Sequence, residues 1–127
     1  MITGIEHVAV CAKDSTKLKD WYVKMFDFKV VYDNGKGTYF VAAKDDSMIE
    51  IVVADKDSGK CGASDSDVRH FALSVTEEGF DTMVEKLKAE GVEVVTDVKE
   101  KNGIKTFFFR DIEDNIFHLI YRPNPLV

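Results

Sequence analysis

The chain has 127 residues, of which 45% are hydrophobic and 31% charged, which suffices for the core of one domain but not for two independent domains. Its formal net charge is −6 without a lysine or arginine cluster, which excludes a nucleic-acid partner. No apolar run approaches the roughly 20 residues of a membrane span, and the N-terminus lacks the features of a signal peptide, so we expect a cytoplasmic protein without a membrane partner. We also expect Cys11 and Cys61 to be free thiols.

The first half of the chain has the predicted order β-α-β-β-β. Residues 5–11 are rich in β-branched residues and predict a strand. From Asp14 or Ser15, either of them a suitable N-cap, apolar residues recur with helical spacing and predict an amphipathic helix. Three more strands are predicted between turn signals at Asn34-Gly35 and Asp45-Asp46, namely Lys29–Tyr32, Gly37–Ala42 and Met48–Val53. We call residues 1–53 module 1.

The same order returns after residues 54–67, which are small, polar and acidic and are predicted to be a linker. A strand at Val68–Val75 precedes a helix at Glu78–Glu90, with Gly91 placed as its C-terminal cap. Three strands are predicted to complete this half, which we call module 2 (residues 68–127): Val92–Thr96, Ile104–Phe109 and Asn115–Tyr121.

Equivalent residues of the two modules are separated by a nearly constant offset. His70 follows His7 by 63 residues, whereas Phe108 follows Phe40 by 68. We assign the step, near residues 96–101, to an insertion at a hairpin end, because loops tolerate changes in length. The predicted fold is therefore α+β, with two tandem βαβββ modules in a single domain over residues 1–127. Neither module is large enough to bury its sheet alone, so the modules must pack together or against copies in a second chain.

All three histidines and one mid-strand glutamate occupy equivalent strand positions. His7 and His70 belong to the opening strands, whereas Glu50 and His118 lie in the closing strands, 68 residues apart. A carboxylate in an apolar strand is costly to bury without a partner. Three imidazoles and a carboxylate predict a metal site for Zn²⁺, Ni²⁺, Co²⁺ or Fe²⁺, since Mg²⁺ and Ca²⁺ prefer oxygen ligands. In an alternative arrangement, His118 hydrogen-bonds Glu50 and leaves three metal ligands.

The chain resembles the vicinal oxygen chelate superfamily, which contains glyoxalase I, bleomycin-resistance proteins, extradiol dioxygenases, fosfomycin-resistance enzymes and methylmalonyl-CoA epimerase. The segments that carry the resemblance are IEHVAV, RHFALSV, MIEIV and FFFRDIEDNIFHLIYRP. It implies a curved sheet around a divalent metal ion, with the four positions His7, Glu50, His70 and His118 as metal ligands. His118 departs from the family pattern, because glyoxalase-like members usually have a glutamate there. Asp114 likewise replaces a glycine of the family's closing turn.

A glyoxalase-I-like lyase or isomerase is the activity that the resemblance favours. Such an enzyme acts on a small substrate with two adjacent oxygens, such as the hemithioacetal of an α-ketoaldehyde. Glu50 is then the candidate catalytic residue, as the carboxylate that carries the proton. Four protein ligands leave two positions on an octahedral ion but saturate tetrahedral Zn²⁺, so Ni²⁺ or Co²⁺ suits this chemistry better.

Two other functions stay open at this point. One is a different metal-dependent reaction of the family, such as epimerisation, thiol transfer to an antibiotic or ring-cleaving oxygenation. The other is a non-catalytic protein that sequesters a drug or metabolite, as bleomycin-resistance proteins do. For each of them we expect a small-molecule ligand and a homodimer, with His7 and Glu50 facing His70 and His118 across a subunit or module interface.

Overall fold

The structure is a computed structural model that describes Met1, residues 5–54 and residues 70–127. The predicted linker lies outside the described residues apart from Ala54, and so does Cys61. Cys11 is disulfide-bonded, so the expectation of a free thiol is wrong for this residue. None of the helices in the described parts of the chain is long and apolar enough to cross a membrane.

The chain divides into two compact units, Met1–Gly62 and Ala63–Val127. Each contains one helix and one four-stranded sheet. These units correspond to the two modules predicted from the sequence. The α+β class and the tandem βαβββ order are therefore confirmed.

The first unit pairs its opening strand with its closing strand. Its elements are β1 (His7–Ala12), α1 (Ser15–Phe26), β2 (Lys29–Asp33), β3 (Tyr39–Ala42) and β4 (Met48–Val53). The strands lie in the order β1-β4-β3-β2, with β1 parallel to β4 and the other pairs antiparallel. Helix α1 begins as predicted, because the side chain of Asp14 accepts a hydrogen bond from the backbone N–H of Lys17.

Alternation along β4 separates the core of this unit from its site-bearing face. Ile49 and Ile51 are buried on the side that packs against α1, together with Leu18 and Tyr22 of the helix. Glu50 lies between the two isoleucines and therefore points to the opposite face. The sequence prediction for the face of Glu50 is confirmed.

The second unit repeats this topology. Its elements are β5 (Phe71–Ser74), α2 (Glu77–Ala89), β6 (Val94–Lys101), β7 (Ile104–Arg110) and β8 (Ile116–Tyr121), and its strands lie in the order β5-β8-β7-β6. Thr76 caps the N-terminus of α2 by accepting from the N–H of Gly79. Gly91 follows the helix with φ of 78°, the left-handed conformation that makes glycine common after a helix.

The extra residues of module 2 lengthen a strand instead of a loop. β6 has 8 residues and its counterpart β2 has 5, whereas the sequence predicts that β6 ends at Thr96. Asn102 and Gly103 both have positive φ, as a tight two-residue hairpin turn requires. The inserted residues therefore precede the turn and pair with β7, with register shifts between Val94 and Lys99 that absorb the added length.

Candidate metal centre

In the first unit, the structure brings two of the predicted site residues together. His7 is the first residue of β1, and Glu50 lies in the middle of β4, the parallel neighbour, in register with Ala9. The Nε2 atom of His7 is 3.8 Å from Oε1 of Glu50, and the two side chains are 36% and 25% exposed. The pair is thus half-buried and remains accessible to a small ligand.

Glu6 orients the imidazole of His7. The Nδ1–H group of His7 donates a hydrogen bond of 2.9 Å to Oε1 of Glu6. In the neutral imidazole, this bond places the proton on Nδ1 and leaves the Nε2 lone pair available for coordination. Metal-ligating histidines commonly use their second ring nitrogen in this way. The sequence analysis did not identify Glu6. Consecutive residues within a strand point to opposite faces, so a contact between Glu6 and His7 was not expected. Glu6 lies before β1, where this alternation does not apply.

The second unit brings the other two predicted residues together. His70 immediately precedes β5, and His118 lies in the middle of β8, in register with Ala72. The centroids of the two imidazole rings are 4.8 Å apart. His118 is only 6% exposed, and its buried Nδ1 atom has no hydrogen-bond partner among the described residues. Since buried polar atoms are nearly always satisfied, an unpartnered nitrogen calls for a ligand.

The environment of His118 keeps its imidazole neutral. The pKa of His118 is lowered from 6.5 to about 4, mainly by burial, then by the charge of His70 and to a smaller extent by that of Arg122. A backbone hydrogen bond involving Leu119 acts in the opposite direction. The neutral imidazole is the form that coordinates a metal ion, so His118 needs no deprotonation at neutral pH.

In each unit a phenylalanine contacts the candidate ligands. The ring of Phe108 stacks on His118, with centroids 4.2 Å apart and planes inclined by 7°, and meets His70 at 5.4 Å. In the first unit, Phe40 meets His7 edge-on at 4.9 Å. The sequence indicates that Phe40 and Phe108 are equivalent in the two modules, because they are separated by the same 68 residues as Glu50 and His118.

An open apolar depression borders the histidine–glutamate pair of the first unit. It has a volume of about 610 Å³ and is lined by Val31, Tyr32, Phe40 and Met48. Phe40 is the residue that contacts His7, and Met48 shares a face of β4 with Glu50. The depression therefore provides space for an apolar part of a small molecule beside these two side chains.

The turn between β7 and β8 holds its own polar residues in place. Asp111 accepts hydrogen bonds from the backbone N–H groups of Glu113 and Asn115 and from the side-chain amide of Asn115. A guanidinium N–H of Arg110 donates to the backbone oxygen of Asp114 at 2.6 Å. Asp114 has φ of 67°, the left-handed conformation that glycine adopts most readily. The turn thereby sets the start of β8, two residues before His118.

The donor atoms suit a first-row divalent metal ion. Imidazole nitrogens and a carboxylate oxygen are its usual ligands, and the unpartnered Nδ1 of His118 is consistent with one. Within the described ranges, no group of three or more His, Cys, Asp or Glu side chains could hold a metal ion. The structure thus presents the four predicted ligands as two pairs, one in each unit.

Comparison with known proteins agrees with this architecture. Residues 4–119 match the family model described as the Glyoxalase/Bleomycin resistance protein/Dioxygenase superfamily. The protein belongs to this superfamily. The chain is 24% identical over 123 residues to the fosfomycin resistance protein FosX of Listeria monocytogenes, covering 94% of this chain and 90% of that protein.

Solved structures show the same fold. A crystal structure of a FosX variant from Listeria monocytogenes, complexed with Mn(II) and 1S,2S-dihydroxypropylphosphonic acid, has a TM-score of 0.77 at 23% identity, covering 94% of this chain and 90% of that one. The oxidase ChaP-H2 has a TM-score of 0.76 at 17% identity, with coverage of 97% and 96%. The predicted superfamily is confirmed, whereas the glyoxalase-I-like reaction stays a prediction, since these relatives are fosfomycin resistance proteins and an oxidase.

Proposed function

We propose that the protein is a divalent-metal-dependent enzyme that acts on a small molecule with two adjacent oxygens. The observation that carries this proposal is the buried, unpartnered Nδ1 atom of His118 beside His70, at the repeat position that Glu50 occupies beside His7. In this proposal each pair supplies ligands to a divalent metal ion. When bound, the ion would supply a Lewis acid that polarises a substrate oxygen.

Glu50 is the proton carrier in this proposal. It is the carboxylate of the four, and its side chain is 25% exposed, so a substrate or a water molecule can reach its oxygens. A positioned carboxylate that takes a proton from the reacting group typically contributes about 10²–10⁴-fold to the rate. The neutral His118 is too buried to exchange protons with a substrate and serves only as a ligand.

Fosfomycin is the first substrate to test. It is an epoxypropylphosphonate, and addition of water across its epoxide gives a dihydroxypropylphosphonate, the class of diol that a FosX variant binds with Mn(II). In this reaction Glu50 takes a proton from the attacking water, one epoxide C–O bond breaks as the new C–O bond forms, and the proton returns to the released oxygen. The charge of Arg122, felt at His118, would attract the anionic phosphonate.

A glyoxalase-I-like isomerisation is the second candidate. The position of Glu50 beside His7 favours it, because this reaction needs a carboxylate base that moves a proton between the two carbons of a hemithioacetal. Both candidates use the same donor set and the same carboxylate, but differ in the substrate and in the bonds that change. The donor types favour Ni²⁺, Co²⁺, Zn²⁺ or Fe²⁺ as the native ion, and the FosX complex with Mn(II) adds Mn²⁺ as a candidate.

The test begins with the metal content of purified protein, reconstituted separately with Mn²⁺, Ni²⁺, Co²⁺ and Zn²⁺. We expect stoichiometric binding of one of these ions, followed by consumption of fosfomycin, detected by ³¹P NMR, or conversion of a methylglyoxal hemithioacetal. Binding without turnover of either substrate would contradict the two specific reactions. Absence of stoichiometric metal under all conditions would contradict the enzyme and favour a binding protein that sequesters a small molecule.

The oligomeric state and location complete the proposal. We propose a cytoplasmic homodimer, as expected from the sequence. Mixing the His7→Ala and His70→Ala variants tests whether one ion is held by two chains. In the mixed dimer, one chain keeps an intact His7–Glu50 pair and the other an intact His70–His118 pair, so metal binding recovers only if these pairs from different subunits bind the same ion. A light-scattering mass of a monomer that binds metal would contradict the dimer.

A further inference from the structure

Phe40 and Phe108 occupy the same position in the two modules, directly beside the proposed metal ligands. Phe40 on β3 pairs in register with Glu50 on β4, and Phe108 on β7 pairs in register with His118 on β8. Each ring also contacts the histidine of the opening strand, His7 or His70. The repeat therefore conserves an aromatic residue together with the donor residues.

We infer that these two phenylalanines are positioning residues that orient the imidazoles for metal binding, an inference that rests on the proposed function. The nitrogens of an imidazole lie in its ring plane. A phenyl face stacked above that plane restricts rotation of the imidazole, but it offers no hydrogen bond that would occupy a nitrogen. The stack of Phe108 on His118, inclined by 7°, thus holds the ring while Nδ1 stays without a partner.

Packing of the core does not explain these residues. Phe107 and Phe109 flank Phe108 on β7 and are fully buried on the opposite face, within the core of the unit. Phe40 and Phe108 are only half-buried, on the face that bears the donors. Their main described aromatic contacts are with histidines, and with Tyr32 in the case of Phe40.

The two positions are not equally important. Phe108 contacts both histidines of its unit and is the stacking partner of His118. Phe40 contacts one histidine, His7, whose orientation is also fixed by the hydrogen bond to Glu6. We therefore expect substitution of Phe108 to weaken metal binding more than substitution of Phe40.

The experiment compares Phe108→Leu and Phe40→Leu with the wild type, using Co²⁺ as the probe. We expect Phe108→Leu to raise the Co²⁺ dissociation constant about tenfold or more, as loss of an outer contact to a ligand typically does, and to change the visible spectrum of bound Co²⁺. Phe40→Leu should have a smaller effect. Phe108→Tyr keeps the ring and should restore both the dissociation constant and the spectrum.

Phe107→Leu is the matched control on the same strand. It removes a core ring, so it should lower the melting temperature of the metal-free protein, but leave the Co²⁺ dissociation constant and spectrum unchanged. Wild-type Co²⁺ binding and spectrum in Phe108→Leu would overturn the inference. If Phe108→Leu does not fold, the Co²⁺ dissociation constant and visible spectrum of Phe40→Leu test the inference instead. If both are unchanged from the wild type, the inference is wrong. Failure of the wild type to bind Co²⁺, Mn²⁺, Ni²⁺ or Zn²⁺ would instead refute the proposed function.

Discussion

The two modules place their donor pairs at equivalent strand positions but surround them differently. In the first, His7 is hydrogen-bonded to Glu6, and its partner Glu50 is reachable from solvent. In the second, His118 is 6% exposed and stacked on Phe108, and within the described part of the chain its Nδ1 has no hydrogen-bond partner. The repeat thus preserves the positions of the candidate donors and of the adjacent phenylalanines, whereas the hydrogen bonding and exposure of the donors differ.

Under the proposed function, this difference gives each module a separate task. A carboxylate that solvent can reach is suited to moving a proton, because it can exchange that proton with substrate and water. A buried, neutral imidazole held by an aromatic ring is suited to static coordination, since its proton content does not change near neutral pH. The predictions that follow test this assignment by altering one module at a time.

Replacing His118 by leucine should have the largest effect on the second module. Stoichiometric metal binding should be lost, while the metal-free protein should gain about 1 kcal/mol of unfolding free energy, because a buried unpartnered polar atom is removed. Chemical unfolding in the presence of a chelator measures this gain. His70→Leu is the control: His70 is exposed, so metal binding should be lost without the gain. A metal-free His118→Leu protein less stable than the wild type would contradict the assignment.

Replacing Glu50 by glutamine tests the first module. The amide keeps the shape of the carboxylate but cannot accept a proton, so turnover of the accepted substrate should fall by about 10²–10⁴-fold. Steady-state kinetics at saturating metal measure this fall. If Glu50→Gln loses the metal and regains turnover at higher metal concentration, Glu50 acts only as a ligand and the two modules share one task.

Replacing Glu6 by glutamine should have a smaller effect. Its carboxylate is 72% exposed, so loss of the contact to His7 should weaken metal affinity by about tenfold, the lower end of the range for such partners. Asp20→Asn is a matched control, because it removes one negative charge from the same unit at a side chain that pairs with Lys19. Equal dissociation constants for both variants, measured by chelator competition, would show that Glu6 acts only through its charge.

Periodicity predicted most of the fold because it is a local property. The alternation of apolar residues around Glu50 and His118 correctly predicted which face of the sheet each side chain occupies. The nearly constant offset predicted that the two modules have equivalent elements. The length of β6 was not predictable in this way. Its added residues, up to Lys101, break the alternation at two register shifts, and only pairing with β7 identifies them as strand.

The candidate site could be predicted only as far as residue types and faces allow. The contact of Glu6 with His7 depends on where β1 begins, and the stack of Phe108 on His118 depends on the register of β7 with β8. Register is set by turn geometry and pairing, which residue spacing alone does not determine. The candidate donors and the repeated phenylalanines were therefore visible in the sequence, whereas their contacts with one another were not.

The smallest expected effect concerns Asp97, which lies in the lengthened part of β6 and so belongs to the second module alone. Nζ of Lys88 donates a hydrogen bond of 3.2 Å to Oδ2 of Asp97, and the backbone N–H of Val98 donates one to Oδ1; both lower the pKa of Asp97. Because the folded-state pKa lies below the unfolded value of about 3.9, the stabilisation is complete above that value and is lost as the pH falls through the folded pKa. Asp97→Asn should therefore lower the melting temperature slightly at pH 7 and not at strongly acidic pH. If Asp97→Asn still melts at a lower temperature than the wild type in acid, Asp97 stabilises β6 through its shape and not through its charge. The added length of module 2 would then need no ion pair to α2.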